Sequence, residues 1–199
     1  MKIVVCVKQI ALILARTGND PQQQFVSRDD RVPLINPPDL IAVEAGLQIK
    51  ESLGGEIFLV TVGPLIAEAR LRKCWAMGAD RLLHLEVPEG EDLDHHQKAA
   101  VLAGTLRKER PDLVLCGQMS LDTEGGQLGA RLAAMLDMLY ISRVVSLEMP
   151  AGSARMAATR ALERGDREIV QGTLPAVVSV QPGLYQPRYP LLKNVLRCQ

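Results

Sequence analysis

LCGQMSLDTEGGQLGARLA, residues 115–133, passes from an apolar, strand-like end through a loop with two carboxylates and a glycine pair into a helical pattern. Gly125-Gly126 lets backbone come close to a ligand, and the start of a helix offers unpaired N–H groups to an anion. Asp122 and Glu124 repel a phosphate set directly beside them. The loop therefore suits a ligand with both a phosphate and a group that welcomes a carboxylate, such as a ribose hydroxyl. A nucleotide meets both demands. Two plainer readings stay open: Asp122 or Thr123 caps the following helix, and the glycine pair is an ordinary turn.

Outward from this loop, the chain alternates strand and helix. Lys2 to Lys8 is an unbroken apolar run, the pattern of a parallel strand covered on both faces. Residues 17–31 are polar and turn-rich, an excursion or a hairpin. INPPDLIAVEAGLQIKE opens a helix in which Pro37 and Pro38 fit only the first turn, and Gly54-Gly55 stops it. Asn36 reads as its cap. Ile57 to Val62 is a strand ended by Gly63-Pro64, followed by a helix with Ala67, Leu71, Cys74 and Trp75 on one face. Arg81 to Glu86 is a strand, Asp92 to Arg110 a helix, and Leu113 to Cys116 a strand leading into the quoted loop. After it, Leu128, Leu132, Met135, Leu136 and Leu139 form an apolar stripe.

This order predicts βαβ crossovers: an α/β fold with an open, mostly parallel sheet and helices on both faces. Beyond Tyr140, short β-rich segments at 144–148, 154–160, 168–171 and 176–180 predict hairpins or added edge strands. The expectation is one domain over residues 1–199. Ligands of such sheets lie at the carboxyl ends of strands. The segment after Val7, the Val62-Gly63-Pro64 end and the loop from Gly117 to Leu128 all fall there.

Composition narrows the function. With 23 basic and 23 acidic residues the formal net charge is zero, and aromatic content is 3%. No field draws the chain to nucleic acid, and few rings are present to stack on bases. No apolar run approaches the ~18 residues of a membrane span. The cysteines at 6, 74, 116 and 198 form no C-x-x-C pair, and no metal site is expected. Cysteines in apolar strands and the absence of a leader-like start suit a cytoplasmic protein. The chain lacks G-x-G-x-x-G after its first strand, lacks a P-loop, and places no serine in a nucleophile elbow. His84 reads as structural and His95-His96 as solvated. No catalytic residue is assigned: the residues point to nucleotide holding without a catalytic constellation.

MKIVVCVKQ, INPPDLIAVEAGLQIKE, VGP at 62–64, WAMGADRLLHLEV, DLVLCGQMSLDTEGGQLG, LPAVVSVQ and QPRYPLLKNV, in this order and spacing, resemble the beta subunits of electron transfer flavoproteins over essentially the whole chain. The resemblance implies an electron carrier more than a catalyst. It implies an alpha partner that holds the redox FAD, flavin-dependent dehydrogenases as donors, and AMP or a second FAD in this subunit. It implies nucleotide contacts at Cys6, Asn36, Pro37, Pro38, Asp39, Val62, Gly117, Gln118, Met119, Ser120, Leu121, Asp122, Thr123, Glu124, Gly125, Gly126, Gln127 and Leu128. It further implies a dehydrogenase-docking leucine after the P-R-Y segment, at Leu192, with Leu191 the buried neighbour. Members usually continue past that segment into an arm that wraps the alpha subunit. This chain ends at Gln199 and is expected to associate more weakly, or to be a stand-alone nucleotide-binding protein.

Overall fold

The computed structural model describes residues 1–13, 31–88, 90–91 and 93–197. The polar excursion expected at 17–31 lies, but for Arg31, outside the described residues, as does Cys198.

Ile3, Val4, Val5 and Cys6 are all buried because β1 (Lys2–Cys6) is covered from both sides. β2 (Gln9–Ile13) and β3 (Arg31–Ile35) pair antiparallel as a separate ribbon. α1 (Pro37–Leu53) starts with prolines where no intrahelical N–H bond is required, and Gly54 ends it. Then come β4 (Glu56–Gly63), α2 (Glu68–Trp75), β5 (Arg81–Glu86), α3 (His95–Glu109), β6 (Leu113–Gly117) and α4 (Leu128–Leu136). α3 begins at His95, not 92, because Asp94 accepts the Gln97 N–H at 2.7 Å while Gln97 returns a bond at 2.9 Å, a capping box. α4 stops at Leu136, where Asp137 takes a left-handed φ of 54°. Leu139 therefore leaves the helical stripe and opens β7 (Leu139–Glu148), where it is exposed.

The chain continues through β8 (Arg155–Ala161), β9 (Arg167–Thr173), β10 (Ala176–Val180) and α5 (Leu192–Arg197). The eight-stranded sheet has the order β5-β4-β1-β6-β10-β7-β8-β9. β5, β4, β1, β6, β10 and β7 run parallel, and β8 pairs antiparallel with both β7 and β9. The α/β fold is as expected, but one β-rich segment moves. Residues 176–180 are no edge strand: β10 inserts between β6 and β7, and every one of its residues is buried.

α1 and α2 cover one face, packing on Ile3, Val5, Ile57 and Leu59. α3 and α4 cover the other, packing on Val4, Phe58, Val60, Val114 and Cys116. The chain steps outward from β1 to β4 and β5, then returns to place β6 on the other side of β1. That reversal is the topological switch point, and it leaves a crevice at the carboxyl ends of β1, β4 and β6.

Candidate functional site

Three strand ends build the crevice floor. Cys6 ends β1 and Val7 follows it, Val60, Thr61 and Val62 lie at the end of β4, and Gly117 ends β6; Leu102 of α3 closes the apolar side. The crevice encloses about 90 Å³ and opens to solvent beyond that. Gln118, Met119, Ser120, Gly126, Gln127 and Leu128 form the loop wall, and Lys8, His95 and Lys98 the basic rim.

Two buried polar residues at the start of α1 hold these pieces together. Asp39 accepts the Lys8 N–H at 2.8 Å on one oxygen and the Gly117 N–H at 3.1 Å on the other. An added Cβ at Gly117 would strike the Asp39 carboxylate and stand 2.7 Å from the Pro38 Cβ, so α1 approaches this closely only because residue 117 is glycine. Burial pushes the Asp39 carboxyl up to about 7, against the pull of the Lys8 and Gly117 amides, Asn36 and the Lys8 charge. Asn36 does not cap α1 through its side chain. Instead its Nδ2 donates to the Met119 carbonyl at 3.0 Å and its Oδ1 accepts the Leu121 N–H at 3.2 Å. A residue 83 positions away thus sets the course of the loop.

The loop carboxylates are kept off the crevice. Lys8 Nζ bonds Asp122 Oδ1 at 2.7 Å. Burial raises the Asp122 carboxyl, but the bonds from Lys8 and Ser120 overcome it and hold the group below its ordinary range. Neither Asp122 nor Thr123 caps α4, which begins after Gln127 with no side-chain cap. Thr123 instead shares a 2.8 Å hydrogen bond with Ser120. Glu124 is exposed, with φ of 50°. Gly126 has φ of 59°, and a Cβ there would stand 3.4 Å from the Gln118 carbonyl, so the turn requires glycine's freedom.

Of the residues singled out in the sequence, Cys6, Asn36, Asp39, Val62, Gly117, Gln118, Met119, Ser120, Gly126, Gln127 and Leu128 line the crevice. Pro38 is buried behind it against Gly117, and Pro37 faces a different groove, shared with the 187–190 segment. Leu121, Asp122, Thr123, Glu124 and Gly125 shape the loop without lining the space. Sequence reasoning missed Lys8, Thr61, His95, Lys98 and Leu102. His95 is not the solvated residue expected: it is half-buried on the rim, while His96 is exposed and pairs with Arg131 at 3.2 Å. His84 Nε2 donates a 2.9 Å hydrogen bond to the Gly63 carbonyl. Burial pushes the Cys6 thiol well above its usual range and Cys74 to about 12, which makes both poor nucleophiles. Among the described residues no cluster of three or more metal-ligating side chains occurs, and no helix is long and apolar enough to cross a membrane.

A second exposed feature lies at the carboxyl-terminal segment. Arg188 forks onto Glu44 of α1 at 2.8 and 2.9 Å and reaches Glu51 at 2.5 Å. The residues after it stand in solvent: Tyr189 is 93% exposed, Leu191 54% and Leu192 74%. Leu191 is therefore not the buried neighbour expected.

A doubly wound sheet with a tightly braced crevice at its switch point defines the chain as an open-sheet α/β protein. Residues 25–196 match the family described as "Electron transfer flavoprotein domain". The chain is 36% identical over 194 residues to "Electron transfer flavoprotein subunit beta" of Bacillus subtilis, covering 94% of this chain and 74% of that protein. Against the human protein of the same name it is 32% identical over 202 residues, covering 100% and 78%. Against "Protein FixA" of Azotobacter vinelandii it is 30% identical over 204 residues, covering 99% and 71%. The chain belongs to the electron transfer flavoprotein family and aligns with its beta subunits.

Proposed function

We propose that the chain is the beta subunit of an electron transfer flavoprotein and holds an adenine nucleotide, AMP or FAD, in the switch-point crevice. With an alpha subunit that carries FAD, it passes electrons from flavin-dependent dehydrogenases to an acceptor in the cytoplasm. FAD supplies the redox chemistry when bound to the assembled pair. The observation that carries the reading is the convergence of the three strand ends on one crevice, braced by Asn36 and Asp39. The apolar floor suits an adenine ring, the Gly126 turn admits a phosphate close to backbone, and the polar loop beside it suits ribose hydroxyls. The exposed leucine at 192, on a segment anchored by Arg188, supports the role of a docking contact for a dehydrogenase.

The test is co-expression with an alpha-type partner from the same genome, followed by complex mass, flavin content and mass spectrometry of nucleotide released on denaturation. A flavin-containing heterodimer with an adenine nucleotide is expected. A partner-free chain that still releases a nucleotide would favour the stand-alone binding protein, and release or uptake of none would remove the site.

A further inference from the structure

Arg143 occupies a position where glycine would be at ease. Its φ is 57°, in the left-handed region that side chains rarely adopt. The cause is a bulge: Ile141 pairs with Val178 and Val144 with Val180, so β7 carries one residue more than β10 over this stretch. The Arg143 amide donates to Ser179 Oγ at 3.2 Å, and that hydroxyl shares a 3.1 Å bond with Tyr140. The backbone is thus held in a strained form at a residue with a large cationic side chain.

That cation is unpaired. Arg143 Nε is buried without a hydrogen bond, and its guanidinium meets no carboxylate among the described residues. Arg160 lies beside it. It pairs with Val144 in the β7–β8 ladder and gives Ser142 Oγ a 3.2 Å bond, and its Nε is likewise buried without a partner. Glu168, half exposed, meets Arg160 at 3.5 Å, one loose counter-charge beside two guanidiniums. Gln181 follows β10 and bonds the Val144 carbonyl through its amide at 2.9 Å, and its Oε1 is also unpartnered.

Among the described residues, four buried side-chain atoms lack a partner, and only Gln9 Oε1 lies away from this bulge. Buried N–H groups without acceptors are unfavourable, and together with a strained backbone they mark a place prepared for a ligand. None of these residues lines the crevice.

We infer that Arg143 and Arg160 form an anion site where β10 ends against the bulge of β7, and that its ligand is a carboxylate. The planar fork of a guanidinium matches the two oxygens of a carboxylate. Two guanidiniums beside one glutamate leave a single positive charge, which one carboxylate balances without excess. The group arrives either as a free small acid or as an acidic side chain carried by a bound protein.

The experiment follows the arginine Nε–H signals of the full, isotope-labelled chain by NMR. Sodium acetate, succinate and phosphate are added in turn, with ionic strength held constant by sodium chloride. The Arg143 signal is the one missing from Arg143→Gly, or from Arg143→Lys if the glycine variant misfolds. It is expected to shift saturably with acetate at a roughly millimolar midpoint. Succinate binding roughly tenfold more tightly than acetate would assign the site to a free acid that spans both arginines. Equal affinities would assign it to a single carboxylate carried on a larger molecule, and both results uphold the site. In Arg143→Gly the Arg160 signal should no longer respond to acetate, while the melting temperature stays within a few degrees of native. A shift that does not saturate, or that chloride reproduces, overturns the inference. So does phosphate binding more tightly than either acid, or an Arg160 response that survives the loss of Arg143.

Discussion

Asp39 bonds the Gly117 amide at 3.1 Å across 78 positions of chain, and its other oxygen takes the Lys8 amide. One carboxylate therefore ties the start of α1 to the ends of β1 and β6, the two strands that flank the switch point. Because burial raises its folded pKa from 3.8 to about 7, the folded chain holds this proton more tightly than the unfolded chain does. The stability so gained is full below about pH 4 and is lost as pH rises to about 7. Asp39→Asn should flatten that slope, since an amide does not titrate there. It also sets an NH₂ group against an N–H donor, costing about 1–3 kcal/mol. Urea unfolding of both proteins at pH 5 and pH 8 should show the gap between them narrowing as pH rises. A gap that stays constant would show that the carboxylate is ionised throughout this range.

Arg188 is the clamp of the carboxyl-terminal segment. Glu44 lies buried under it: burial raises the Glu44 carboxyl, but the Arg188 and Gln48 bonds overcome this and keep it below its ordinary range. Removing the guanidinium leaves a buried carboxylate without its cation. Arg188→Met should therefore destabilise the fold by about 3 kcal/mol or more at neutral pH. In the native protein the contribution of the pair is present above the ordinary Glu pKa and is lost as pH falls through the depressed one. Adding Glu44→Gln to Arg188→Met should recover a large part of the loss. Denaturant melts of the single and double variants decide this, and additive losses would show the two residues to be uncoupled.

Gly126→Val should damage binding more than folding. The residue has φ of 59°, which a β-branched side chain resists. The loop must then shift where a phosphate would meet the backbone. AMP affinity is expected to fall by roughly an order of magnitude, with a melting temperature lowered by only a few degrees. An unchanged affinity measured by titration would place the phosphate elsewhere.

Leu192, 74% exposed at the start of α5, should be dispensable for the fold. Leu192→Ala is expected to change stability by less than about 0.5 kcal/mol. Electron transfer from a flavin dehydrogenase to the reconstituted pair should slow markedly, with flavin content unaltered. Stopped-flow flavin reduction is the readout, and a native rate would remove the residue from the docking surface.

The alternation of strand and helix was legible because it is written locally. Apolar runs such as Ile3 to Val7, the Pro37-Pro38 opening of α1 and the glycine stops depend on neighbours within a few positions. The same local patterns identified the strand ends and the 117–128 loop as the places to look. What lay beyond reach was non-local. Nothing around Ala176 to Val180 says that this short run enters the middle of the sheet, because its partners β6 and β7 come earlier in the chain. Nothing near Asn36 says that it braces a loop 83 residues on instead of capping its own helix. Nothing near His95 or Lys98 shows that α3 brings them to the rim. Sequence alone therefore determined the α/β class and the family resemblance, through residues that act on their neighbours. The tertiary structure decided which carboxylate is buried, which is tied to Lys8 and which cations face the crevice, because burial and charge pairing are set by the order in which strands assemble.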